Sequence, residues 1–140
     1  KTYSEGINSN YILPCIPKNY MSSWAQYSVV VSSGKLRDKI VSHLRNNNIP
    51  SMIYYKIPLH LQKVFKSLNY IRGDFPESED IADRVISLPM HPYLEESDQG
   101  QVIDNLNSIW FYVWAILIKY SPYWLFAMFS PSFNSCFLLI

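Results

Sequence analysis

Trp24-Ala25-Gln26-Tyr27-Ser28-Val29-Val30-Val31, stopped by Ser32-Ser33-Gly34, is the stretch on which the fold turns. It is crowded with aromatic and β-branched residues and bounded by a turn, which together specify a β-strand. Leu36, Ile40, Val41 and Leu44 follow at helical spacing with charges between them, so residues 35–48 read as an amphipathic helix. Asn46-Asn47-Asn48 and Pro50 close it, because asparagine tolerates a left-handed stop and proline blocks continuation.

Working outward, residues 51–55 read as a second strand. Beyond Pro58, the apolar Leu61, Val64, Phe65 and Leu68 recur at i, i+3, i+4 and i+7, predicting another amphipathic helix broken at Gly73. A further helix opens near Pro76, with Ser78 as its N-cap and Glu77, Glu79 and Asp80 favoured by the helix dipole. Residues 85–88 give a third strand ended by Pro89. Asp98 with Gln101 resembles a capping box, opening a helix that buries Val102, Ile103 and Leu106. The order β-α-β-α-α-β-α predicts an α/β lobe of α+β-like character, a small sheet packed by helices. Residues 1–23, polar with Pro14 and Pro17, read as a lead-in segment that packs against something else.

The 140 residues suit one modest domain with a core of its own. A formal net charge of +1 without a basic cluster leaves nucleic-acid binding no electrostatic footprint. Cys15 and Cys136 stand far apart, outside any CxxC pattern. They fit free thiols in a reducing, cytoplasmic compartment better than a disulfide framework or a zinc site. Lys1-Thr2-Tyr3-Ser4-Glu5 is no signal peptide, and the chain reads as a piece of something longer.

Composition changes at residue 109. All 11 acidic residues, and every Lys or Arg except Lys119, precede it, while half of the aromatics follow it. Residues 109–129 approach the roughly 20 apolar residues that span a bilayer, yet Lys119 and Pro122 lie within them and no Lys/Arg cluster flanks them. The tail 109–140 is therefore read as a non-native apolar extension, such as a shifted frame would append, with a membrane anchor as the competing reading.

Two proline-histidine segments carry the candidate chemistry: Tyr54-Tyr55-Lys56-Ile57-Pro58-Leu59-His60-Leu61-Gln62 and Ser87-Leu88-Pro89-Met90-His91-Pro92-Tyr93-Leu94. Proline fixes its own φ and restricts its predecessor, so both are rigid exits that can present a side chain or close a domain edge. His60 is weighed as a cleft-lining group against a residue that fixes the turn, and His91 against a structural role. His43, off the apolar stripe of its helix, is expected to be solvated. The three histidines lack metal-ligand spacing, so no metal is expected. Glu77, Glu79, Asp80 and Asp83 read as surface charges at a helix start, and no glycine-rich loop is present to cradle phosphates.

Trp24-Ala25-Gln26-Tyr27-Ser28, Leu36-Arg37-Asp38, Asn48-Ile49-Pro50-Ser51, Pro58-Leu59-His60-Leu61-Gln62 and Ser87-Leu88-Pro89-Met90-His91-Pro92 occur in that order. Over about residues 10–107 this pattern resembles the C-terminal small lobe of the DegT/DnrJ/StrS family of sugar aminotransferases. The resemblance implies the aspartate-aminotransferase fold and pyridoxal 5'-phosphate as cofactor. It also implies a homodimer that moves an amino group, usually from glutamate, onto a nucleotide-linked keto-sugar. The Schiff-base lysine and the acidic partner of the pyridine nitrogen would belong to a large domain upstream of Lys1, so residues 24–108 would be inactive alone. Where the family usually reads His-Tyr-Pro near cofactor and substrate, this chain has Tyr54-Tyr55-Lys56. A phenol can hydrogen-bond like imidazole but is ordinarily protonated near neutral pH. Tyr54, Tyr55 and His60 are thus the substrate-contact candidates, with no catalytic, cofactor-binding or metal residue expected. A free-standing α/β binding module is the alternative class.

Overall fold

The structure, a computed structural model, describes residues 2–120. Its elements run α1 (Thr2–Gly6), β1 (Tyr27–Val30), α2 (Gly34–Asn46), 3-10 turns at Leu59–Leu61 and Lys63–Leu68, α3 (Pro76–Arg84), β2 (Val85–Leu88) and α4 (Glu96–Tyr120). Two compact units are distinguishable, Lys1–Asn107 and one beginning at Ser108.

The first strand forms where its composition places it, although only Tyr27–Val30 pairs. Trp24, at φ 51°, sits in the left-handed region and ends the extended run on its N-terminal side. β1 pairs antiparallel with β2, Tyr27 opposite Leu88 and Val30 opposite Val85. Single bridges flank the pair, Ile12 beside Val30 and Met52 beside Ser87. The expected strand at 51–55 is thereby reduced to one residue. Met52 exchanges both backbone bonds with Ser87, at 3.0 and 2.8 Å, but Pro50 has no N–H to give and the chain turns away at Tyr54.

Helix α2 is capped by Ser33, whose hydroxyl accepts from the Leu36 N–H at 3.3 Å. Asn48, at φ 58°, makes the left-handed exit expected of the asparagine run. α2 buries Ile40 and Leu44, and also Arg37, which periodicity assigns to no core. The Arg37 guanidinium donates to Asp38 Oδ1 at 2.7 Å and to the Ala82 carbonyl at 3.4 Å, tying α2 to α3.

The amphipathic helix expected beyond Pro58 is instead the pair of 3-10 turns. Gln62 is extended between them and Asn69, at φ 57°, ends the second. Val64 and Leu68 are exposed, so no packing repays α-helix nucleation in a segment this short. α3 starts two residues before its expected cap: Phe75 is the N-cap, without a side-chain bond, and Pro76 occupies the first turn, where a missing N–H costs nothing. α4 likewise starts at Glu96, so Asp98 is a first-turn carboxylate and not the cap.

The helix backbone continues through Tyr120, where a clean helical stripe is absent from the sequence. Among the described residues, no helix is long and apolar enough to cross a membrane. Residues 121–140, including Cys136, lie outside the described residues.

Val29, Val31, Ile40, Leu44, Ile86 and Leu106 are at most 1% exposed and form the core, each stabilising the fold by about 1.5–3 kcal/mol through burial. The lead-in segment packs into this same unit. Tyr3, Ile7 and Tyr11 are buried, Tyr3 donates to the Pro89 carbonyl at 3.0 Å, and Tyr11 to the Leu106 carbonyl at 2.8 Å.

Candidate functional site

At the C-terminal end of β2 lies an open groove of about 150 Å³. Ala25 and Gln26 line it from the approach to β1, Pro50, Ser51 and Met52 from the bridge, Tyr54 from the turn, and residues 87–90 from β2 and its exit. The lining residue Ser87 is buried and its hydroxyl pairs with Ser28 Oγ at 2.8 Å. Just before the lining residue Ala25, Trp24 stacks on Tyr27 at 5.3 Å and its backbone N–H donates to Ser22 Oγ at 3.1 Å. Trp24 is half-buried, a lid on Tyr27 more than a core residue. The Tyr3 bond to the Pro89 carbonyl pins the opposite rim. Burial pushes the Tyr3 phenol up to about 12, with the charges of Asp98 and Tyr27 adding to it.

The three expected contact residues separate in space. Tyr54 lines the groove. Tyr55 is next in sequence, is 65% exposed, and stands outside the lining. His60 is inside the structure: its side chain is 7% exposed, its Nε2 lies 3.0 Å from Glu79 Oε1, and its ring packs on Phe75 at 4.8 Å. His91 is exposed. His43 departs from expectation, being half-buried with its Nε2 enclosed and without a hydrogen-bond partner.

Glu79 also departs from the surface-charge reading. Its side chain is 11% exposed, and it accepts from the Gly73 N–H at 2.7 Å as well as from His60, with Arg72 Nη1 at 3.9 Å. The Gly73 N–H holds the carboxyl below its usual range, opposed in part by burial, and His60 and Arg72 reinforce the lowering. Glu79 carries no sequence signal beyond its place in an acidic run; only the fold brings His60 and Gly73 to it. Asp80 keeps the surface role expected of it, pairing with Arg84 one turn on.

The groove offers hydroxyls, an amide and thioethers, with no amine or carboxylate in its lining. It therefore has neither a lysine to bind pyridoxal phosphate covalently nor an acid to face a pyridine nitrogen, and these residues do not fit that cofactor on their own. Among the described residues no His, Cys, Asp and Glu cluster suits a metal ion. Along the chain from the groove residue Tyr54, the side chains of Tyr55, Ile57, Leu59, Val64 and Leu68 are also exposed.

Solved structures of aminotransferases share the fold of this chain. A DegT DnrJ EryC1 StrS aminotransferase from Brucella abortus superposes with a TM-score of 0.68 at 39% identity, over 76% of this chain and 28% of that one. DesV of S. venezuelae, solved in complex with a ketimine intermediate, gives a TM-score of 0.70 at 28% identity over the same shares. In sequence, the dTDP-3-amino-3,6-dideoxy-alpha-D-galactopyranose transaminase of Aneurinibacillus thermoaerophilus is 31% identical over 106 residues, 75% of this chain and 28% of that enzyme. The chain belongs to the DegT/DnrJ/EryC1/StrS aminotransferase family, which it matches over residues 1–107. It spans less than a third of the length of each of these relatives.

Proposed function

We propose that this chain serves as the small-lobe portion of a pyridoxal-phosphate-dependent transaminase acting on a nucleotide-linked keto-sugar, with glutamate as the usual amino donor. The observation that carries the reading is Tyr54, one of the two motif positions that the resemblance brings near cofactor and substrate, on the wall of a groove at the end of the sheet. The Schiff-base lysine and the acid for the pyridine nitrogen come from residues beyond this chain. What the chain contributes is recognition: the Tyr54 and Tyr55 phenols as hydrogen-bonding contacts, and Gln26, Ser51 and Ser87 as polar groups of the groove. The reading extends to a homodimer in the cytoplasm. The exposed apolar run beside Tyr54 and Tyr55 supplies contact surface for it, and exposed Cys15 is a free thiol suited to a reducing compartment.

A hybrid tests this, with the full chain replacing the matched part of the Brucella abortus aminotransferase. The hybrid is expected to bind pyridoxal phosphate and transaminate a nucleotide keto-sugar, and Tyr54→Phe to weaken substrate binding about tenfold through the lost hydrogen bond. A folded, cofactor-loaded hybrid without transamination refutes the reading. The chain by itself, given cofactor and both substrates, is expected to turn nothing over.

A further inference from the structure

The segment carrying Tyr54 and Tyr55 is anchored at two points. On one side Met52 exchanges backbone bonds with Ser87 of β2. On the other, the chain runs through Pro58 to His60, whose Nε2 meets Glu79 of α3 at 3.0 Å. The same Glu79 oxygen accepts the Gly73 N–H at 2.7 Å, so one carboxylate closes the base of everything between residues 60 and 73. Apolar packing holds that span weakly: Val64 is 75% exposed, Leu68 57% and Ile71 67%. Gly73, at φ 100°, adopts a backbone that side-chain-bearing residues avoid, and this turns its N–H toward Glu79. His60 and Glu79 are nearly buried, where hydrogen bonds to a charged group are strong and costly to leave unmade.

We propose that Glu79 is a positioning residue for substrate recognition: its carboxylate clasps His60 and Gly73, holding the loop between Met52 and His60 so that Tyr54 stands at the groove, with exposed Tyr55 next to it in the chain. This rests on the functional reading above for the role of the two tyrosines, while the clasp itself stands on geometry. It gives His60 a role through Glu79 and not at the substrate.

Hydrogen exchange on the full chain and kinetics on the hybrid test it together. Glu79→Ala is expected to speed exchange about tenfold across residues 53–73 while residues 27–46 and 85–88 stay protected. Glu79→Gln retains an acceptor oxygen and is expected to restore most of the protection. In the hybrid, Glu79→Ala is expected to raise KM for the nucleotide sugar about tenfold with kcat within about twofold. Exchange unchanged at 53–73, or quickened alike in every segment, overturns the clasp. A loosened segment with unaltered KM overturns the positioning role. An unmutated hybrid without transamination refutes the functional reading instead, and the exchange comparison still decides the clasp.

Discussion

Substituting Gly6 by alanine probes how the lead-in segment is docked. A Cβ at Gly6 meets Ile103 Cδ1 at 2.7 Å, Cγ2 at 3.1 Å and Cγ1 at 3.3 Å. The end of α1 cannot slide away cheaply, because the Asn107 amide brackets it: Nδ2 donates to the Gly6 carbonyl at 2.9 Å and Oδ1 accepts from the Asn8 N–H at 3.0 Å. Relief must come from Ile103. Forcing a methyl into a packed contact costs about 1–3 kcal/mol. Replacing glycine in a helix returns at most about 1 kcal/mol, and less at the last residue of a helix. Gly6→Ala is therefore expected to destabilise the fold by about 1–2 kcal/mol, read from urea unfolding followed by circular dichroism. Ile103→Val alone should cost about 0.5–1 kcal/mol, since Ile103 is only half-buried. It deletes the nearest carbon, so the double variant should be more stable than the sum of the singles by about 1 kcal/mol. Strict additivity of the two substitutions would refute the contact on which this reasoning depends.

Three further outcomes are expected. The phenol of Tyr3, raised to about 12 chiefly by burial, keeps its proton when the unfolded chain loses it; its stabilisation is complete below pH 10 and disappears as pH rises through 12. Ultraviolet titration of Tyr3→Phe should lack the corresponding high-pH component. Ser33→Ala removes the acceptor for the Leu36 N–H and should cost about 1 kcal/mol by thermal or urea unfolding. Arg37→Ala should cost about 1–3 kcal/mol, from lost packing and an abandoned Ala82 carbonyl, whereas Arg37→Met should recover much of it, because Asp38 is 70% exposed and keeps its hydration.

Strand β1, helix α2 and strand β2 were legible because local propensity and burial agree there: Val29, Ile40, Leu44 and Ile86 are apolar by pattern and buried in fact. The span 51–70 misled because periodicity records only that apolar residues recur. It carries no statement of what covers them, and here Val64 and Leu68 face outward. α3 starts at Pro76 after a cap, Phe75, that makes no side-chain bond, and α4 starts at Glu96, so Ser78 and Asp98 lie inside the first turns and not at the caps where their side-chain signals pointed. The motif singles out the segment around Tyr54, and the fold sets that side chain on the groove wall. The buried engagements of Glu79 and Arg37 were not legible in the sequence, since each depends on partners that lie on other elements once the chain has folded. His60 shows both sides: its motif draws attention to it, and only the fold reveals that it faces Glu79.

The bonds between the two ends of the Lys1–Asn107 unit set the timetable of folding. Asn8 reaches Asn107, and Tyr11 reaches Leu106, across sequence separations of 99 and 95 residues. On a ribosome, α1 and Tyr11 must wait until the whole unit has been synthesised before meeting their partners, and β1 must wait for β2. Joining the ends of the unit by circular permutation, with new termini opened in the exposed 62–71 span, would turn these last contacts into the first ones made.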